Sequence, residues 1–318
     1  MPVNITLAES KEYPTSEWLN GLIDLHMYNA PCVFERTFDA IELAKQCREA
    51  GYRAIVLKNH FYPTIEGAYL ARKMVPGIET YGSIVLNPQV GSLNPWAVDA
   101  AILLGAKMIW MGNMYAGTLS EKPFRSEYGW GSMVPMTHKW VTRPTKRWML
   151  HKPINIIDLK TDELLPEVYD IINIIAENDV ILNTCHISKR ECKVLIPEAR
   201  KAGVKKIIID HIPIIPDPDP ERYWKVEEAK EIAKEGAILE HIAGGYIKHP
   251  KETKLLAEFI KEVGADKCEL ASDCGAMIEM HPIESMRYFI LTLLKNGISE
   301  REIKMMTKEN PAKLLNLD

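Results

Sequence analysis

One order of positions recurs along the chain: an amphipathic stretch of helical period, a glycine, a short unbroken apolar run, then a polar or ionisable residue. Residues 42–50 lead to Gly51, the run 53–57, and then Lys58 and His60. Residues 97–104 lead to Gly105, the run 108–111, and Asn113. Gly203 precedes 207–209, ending at Asp210 and His211, and Gly236 precedes 237–239, ending at Glu240 and His241. Gly264 precedes 268–271, which runs into Ser272 and Asp273. A helix commonly stops at a residue of positive φ, which glycine adopts without a Cβ clash. Continuous apolar runs after such stops are the pattern of strands buried on both faces by helices.

Adding the runs 21–26, 78–86 and 180–186 gives eight strands, each followed by a helical stretch. Alternating strands and helices imply a parallel sheet with right-handed crossovers. Eight such units close most simply into an α/β (β/α)8 TIM barrel, read here as a single domain over 1–318. An open doubly wound sheet is the alternative, but no strand is followed by a glycine-rich phosphate turn. Two segments depart from the repeat. A long insertion after strand four, about 113–160, carries Tyr115, Tyr128, Trp130, Trp140 and Trp148 and reads as a lid. The tail from Ser299 reads as two extra helices, with Ser299 and Glu302 as a capping box and Asn310-Pro311 as an N-cap and first-turn proline.

Composition narrows the partners. Among 318 residues, 47% are hydrophobic and 26% charged, as in a globular protein. A formal charge of −4 gives no general attraction to nucleic acid or to an anionic membrane. No apolar stretch reaches transmembrane length and no secretory signal opens the sequence. The six cysteines lack a CxxC pair or a framework spacing, which points to buried thiols in a cytoplasmic protein.

In a barrel of this kind the C-terminal strand ends share one mouth, where chemistry is built. Strand one ends Asp24-Leu25-His26-Met27-Tyr28 and strand two Lys58-Asn59-His60. Strand five ends Thr184-Cys185-His186, strand six Asp210-His211, strand seven Glu240-His241 and strand eight Ser272-Asp273. A lone histidine is more often a hydrogen-bonded structural residue than a ligand. Histidines at five strand ends, with an aspartate on a sixth, are hard to explain as packing. Imidazole and carboxylate together suit Zn²⁺, Mn²⁺ or Fe²⁺.

Asp-x-His on strand one, His on strands five and six and Asp on strand eight together resemble the amidohydrolase superfamily. The tail 306–315, Met-Thr-Lys-Glu-Asn-Pro-Ala-Lys-Leu-Leu, is similar to that superfamily's C-terminal helix. The stretches 23–31 and 55–60 look like a little-characterised branch of metal-dependent hydrolases. The resemblance implies His26, His186 and Asp273 as metal ligands, with His211 a second-metal ligand or a holder of substrate or water. It implies Asp273 as general base towards the activated water.

The match has one departure: the second strand-one histidine is replaced by Tyr28, a poorer ligand at neutral pH. That shifts weight to one divalent transition metal, zinc first, over two, held mainly from the later strands. His60 is a candidate replacement ligand, and Lys58, Tyr28, Asn113 and Glu240 are expected to contact substrate. Glu240 and His241 alternate, so at most one faces the mouth. The lid holds Lys122, Arg125, Lys139, Arg143, Lys146 and Arg147 against Glu121 and Glu127, which would favour an anionic small molecule. The expected activity is hydrolysis of an amide, cyclic amide, lactone or ester-like bond. Non-oxidative decarboxylation of a small carboxylic acid is the first alternative, and a degenerate ligand-binding barrel the second. A homo-oligomer is expected.

Overall fold

A computed structural model describes residues 15–112, 154–212, 214–215, 223–247, 250–277 and 279–317. The eight parallel strands expected from the sequence run β1 Ile23–Tyr28, β2 Ala54–Lys58, β3 Glu79–Val85, β4 Ala106–Trp110, β5 Ile181–Asn183, β6 Ile207–Ile209, β7 Ala237–Ile242 and β8 Cys268–Ala271. Each pairs with the next in sequence order. The ring closes just beyond β8, where Asp273 N–H donates to the His26 carbonyl and Tyr28 N–H to the Cys274 carbonyl, both at 3.0 Å. Helices such as Ala40–Glu49, Ile65–Met74 and Pro166–Asn178 cover the outside, and the strands are buried on both faces. The sheet's outer face and the helices thus share one apolar core, the layered solution that buries both kinds of element.

The glycines act as the sequence suggests. Gly51 has φ 88°, and a Cβ there would lie 3.2 Å from the Asn20 backbone, so the turn into β2 needs both its conformation and its size. Capping fixes where helices begin. Asp39 and Glu42 form a reciprocal box at Ala40–Glu49, and Ser188 and Glu191 another at Lys189–Lys201. The buried Glu191 also accepts the Ile156 N–H at 2.9 Å, tying the end of the long insertion to the helix after β5.

Two sequence expectations are corrected. Strand five is shorter than 180–186, stopping at Asn183, whose side chain accepts the Cys185 N–H at 2.7 Å and turns the chain out of the sheet. Asn310 is not an N-cap: its backbone is helical, continuing from the π-turn Met305–Glu309 into Asn310–Leu315. Its buried side chain instead donates to the carbonyls of Ala265 and Cys268 at 2.9 and 2.8 Å, fastening the tail to the start of β8. The Ser299–Glu302 box is present as read. Of the lid, 113–153 lies outside the described residues, and with it Asn113 and all six basic residues named above. No helix among the described residues is long and apolar enough to cross a membrane. All six cysteines are buried and form no disulfide.

Candidate metal centre

The centre is built around His26. On β1, Asp24 pairs with Ile55 of β2 but Met27 pairs with Leu57, so an extra β1 residue bulges where His26 sits. Bulges re-aim side chains and are frequent beside active sites. The Asp24 carboxylate accepts the His26 N–H at 3.0 Å and the Ser272 N–H at 3.2 Å, locking the bulge to β8. The His26 ring, fully buried, has its Nδ1 2.9 Å from Glu240 Oε1 and its Nε2 2.8 Å from Asp273 Oδ1. Lys58 Nζ lies 2.9 Å from the same Nε2, 3.4 Å from Asp210 Oδ2, and 3.8 Å from the centroid of the Trp110 ring. Tyr28 Oη stands 3.4 Å from Nε2.

Adjacent residues on a strand face opposite ways, yet Asp210 and His211 both reach this centre. The strand has ended at Ile209, and His211 takes a left-handed φ of 33° that turns its ring back over the mouth. Cys185 (φ 51°) and Asp273 (φ 50°) use the same device after β5 and β8. His211 Nε2 lies 3.5 Å from Asp210 Oδ1 and 3.6 Å from Asp273 Oδ2. The side chains of His211 and Asp273, 22% and 18% exposed, open the centre to solvent, whereas Asp210, Glu240 and Lys58 are sealed beneath.

Two groups of potential ligand atoms result among the described residues, each within 4.8 Å: His26, Asp210, His211 and Glu240, and Cys185, His186 and Asp210. Asp210 belongs to both. Asp210 Oδ1, His211 Nε2 and Glu240 Oε2 are buried without a hydrogen-bond partner, three donor atoms directed at one region. Nitrogen, carboxylate and sulfur donors of this mix suit a borderline divalent metal, so the residues fit such an ion.

Electrostatics follow from crowding carboxylates in a dry barrel. Burial and the Lys58 ammonium oppose a proton on His26, but Asp273, Glu240 and Asp210 outweigh them and raise its pKa well above the usual value. Burial, then the neighbouring Asp210, pushes Glu240 up to about 8. Burial, then Glu240, raises Glu269, its register partner on β8, well above the carboxylate range. Burial opposes ionisation of Asp210, yet His211, Lys58 and His26 hold it well below that range. Burial lowers His186 and His211, favouring neutral rings.

The sequence-named residues thus fall in distinct places. His26, Lys58, Tyr28, His211, Glu240 and Asp273 meet at one centre. Glu240 lies in a group of ligand atoms rather than at its edge. His186 packs edge-on against His211, ring centroids 4.5 Å apart, in the second group. His60 and Asp273, both named as ligands, lie in neither group: β2 ends at Lys58, and the buried His60 ring lies against Tyr28 and Phe34. His241, on the outer face of β7, packs edge-on against Phe259. Asp210, Cys185, Trp110 and Glu269 went unassigned in the sequence. An acid directly before a strand-end histidine was the available signal for Asp210.

This fold and mouth define a closed parallel (β/α)8 barrel with a cluster of potential metal ligands at its C-terminal end. The chain belongs to a family of unknown function, DUF6282, whose model matches residues 21–240. It shares its fold with an amidohydrolase from Pseudomonas aeruginosa at 13% identity and a TM-score of 0.60, covering 95% of this chain and 98% of that one. The probable dipeptidase PvdM from the same organism gives 12% identity and a TM-score of 0.59, covering 96% and 98%. A 2,6-dihydroxybenzoate decarboxylase from Rhizobium gives 13% and 0.51, covering 94% and 99%. No curated protein sequence matches the chain.

Proposed function

We infer that this chain is a metal-dependent hydrolase acting on an amide, cyclic amide, lactone or ester-like bond of a small molecule. The observation that carries the reading is the convergence of His26, Asp210, His211 and Glu240, with three of their buried donor atoms making no hydrogen bond. These four residues, with Cys185 and His186 beside them, would hold a divalent transition metal, zinc first and one ion over two. A bound cation would supply Lewis acidity and make a nearby water more acidic.

The chain's own groups do the rest. Asp273 is the carboxylate of the centre that is both anionic and solvent-facing: burial opposes its ionisation, but His26 and His211 hold its pKa far below the usual range. Its Oδ2 takes the proton of the attacking water and returns it to the leaving atom. His211, beside it, orients the substrate carbonyl. Lys58 fixes His26 and Asp210 from below, and Trp110 closes that side against water.

The test is elemental analysis of protein purified without chelator, wild type and Asp210→Asn, followed by a panel of small lactones and cyclic amides. Stoichiometric transition metal in the wild type, lost in the variant, with turnover abolished by chelation, is the expected result. A metal-free wild type would overturn the reading in favour of a ligand-binding barrel. Decarboxylation is a second reading, because a 2,6-dihydroxybenzoate decarboxylase is among the proteins of similar fold; CO₂ release separates the two. We also propose a cytoplasmic homo-oligomer, with exposed Trp96, Leu103 and Leu104 as apolar surface, checked by analytical ultracentrifugation.

A further inference from the structure

Arg36 is buried, at 7% exposure, and has no ion pair among the described residues. It lies on the loop after β1. That loop crosses the β1–β8 seam at the mouth: Arg36 bridges Ala276, and Thr37 N–H donates to the Gly275 carbonyl at 3.0 Å. The guanidinium carbon sits 4.1 Å from the centroid of the Tyr28 ring. Stacking uses the face of the guanidinium, whereas its N–H donors lie in its plane. The Nε and Nη2 atoms are both buried and meet no acceptor.

We propose that Arg36 anchors a carboxylate group of the substrate, an inference that rests on the hydrolase reading above. Nε and Nη2 form one edge of the guanidinium, the pair of parallel donors that a carboxylate accepts bidentately. A buried charge with unmade hydrogen bonds destabilises the fold, and a ligand group is what would complete it. Glu279 on this face feels the Arg36 charge but makes no ion pair with it, and its Oε2 accepts the N–H groups of Gly275 and Ala276 at 3.1 and 2.9 Å. One guanidinium matches a monoanion better than a phosphate dianion. The surrounding rings set the shape of the subsite: His60 lies 4.8 Å from Tyr28, centroid to centroid, and Phe34 is 5.7 Å from Phe61. A flat carboxylic acid fits that wall. Tyr28 joins anchor to centre, with Arg36 on its face and its hydroxyl 3.4 Å from His26 Nε2.

The experiment is calorimetric titration of the metal-replete protein with benzoate as probe and benzamide as the uncharged control, in wild type, Arg36→Met and Arg36→Lys. Each variant is checked for metal content and melting temperature. Benzoate binding should fall about 100-fold in Arg36→Met, the loss of a buried bidentate charge pair. Arg36→Lys should fall less, keeping charge without the fork. Benzamide affinity and metal content should stay unchanged. Because an unpaired buried charge is removed, Arg36→Met should melt no lower than wild type, which a structural role would not allow. Equal benzoate affinity in wild type and Arg36→Met, or no benzoate binding to wild type, overturns the anchor. So does binding that chelation removes and Arg36→Met does not, since the carboxylate would then sit on the metal. Arg36-dependent benzoate binding in a protein that holds no metal would sink the hydrolase reading and leave the anchor standing.

Discussion

Replacing Asn310 with alanine tests how the tail supports the centre. Its amide makes two hydrogen bonds to backbone carbonyls at the entry to β8, the strand that leads to Asp273. Two lost bonds, a carbonyl left short of a buried partner and a small void together cost about 2–4 kcal/mol. Unfolding entropy near 60 °C is about 2.1 cal/mol/K per residue. For 318 residues that is roughly 0.7 kcal/mol per kelvin, so the melting temperature should drop by about 3–6 °C. Scanning calorimetry of wild type, Asn310→Ala and Ser299→Ala measures it. The exposed Ser299 cap is the control and should cost about 1 kcal/mol. Asn310→Asp, which turns a donor into an anion facing two carbonyls, should be at least as damaging as alanine. An Asn310→Ala variant melting within 1 °C of wild type, or above Ser299→Ala, would refute the reasoning.

Other outcomes follow from the same geometry. Asp273→Asn should keep the fold and lose about 10²–10⁴-fold in turnover, and near-normal turnover would remove Asp273 from the mechanism. Gly275→Ala should destabilise strongly and disturb metal content, because Gly275 has φ 142° and the new Cβ would lie 2.4 Å from the Tyr28 carbonyl oxygen. Near-wild-type melting and metal content would contradict that contact. Burial opposes ionisation of Glu228, but hydrogen bonds from Lys193 and Lys189 hold its pKa at about 2. A depressed carboxyl contributes stability that is full above its unfolded value, near 4.5, and is lost as pH falls towards about 2. Urea unfolding between those limits should show a shallower pH slope in Glu228→Gln than in wild type, and parallel slopes would exclude the pair's contribution.

The barrel was legible because its signals are local. Gly51, Gly203, Gly236 and Gly264 mark chain turns whose conformation excludes most other residues, and the apolar runs after them need no distant partner to be read. Asn310-Pro311 misled because a capping sequence also fits a continuous helix whose asparagine finds partners elsewhere. The centre was legible only as far as strand ends reveal it. The turn at His211 that brings Asp210 and His211 to one place depends on the backbone after β6, and the bulge at His26 on its register with β2. Arg36 reaches the mouth through pairing with Ala276, far away in sequence. Such residues carry no periodic signature, so only the folded chain connects them.

The left-handed backbones of Cys185, His211 and Asp273 have a consequence for how this protein could change. Each non-glycine residue held there costs on the order of 1–3 kcal/mol; Cys185 packs in the apolar core, but His211 and Asp273 do not and recover nothing that way. Glycine or asparagine at any of them would relieve that cost. Variants selected for heat resistance alone should therefore accumulate first at His211 and Asp273, losing the chemistry before the barrel. Lineages that retain His211 and Asp273 would be those in which the activity is still under selection.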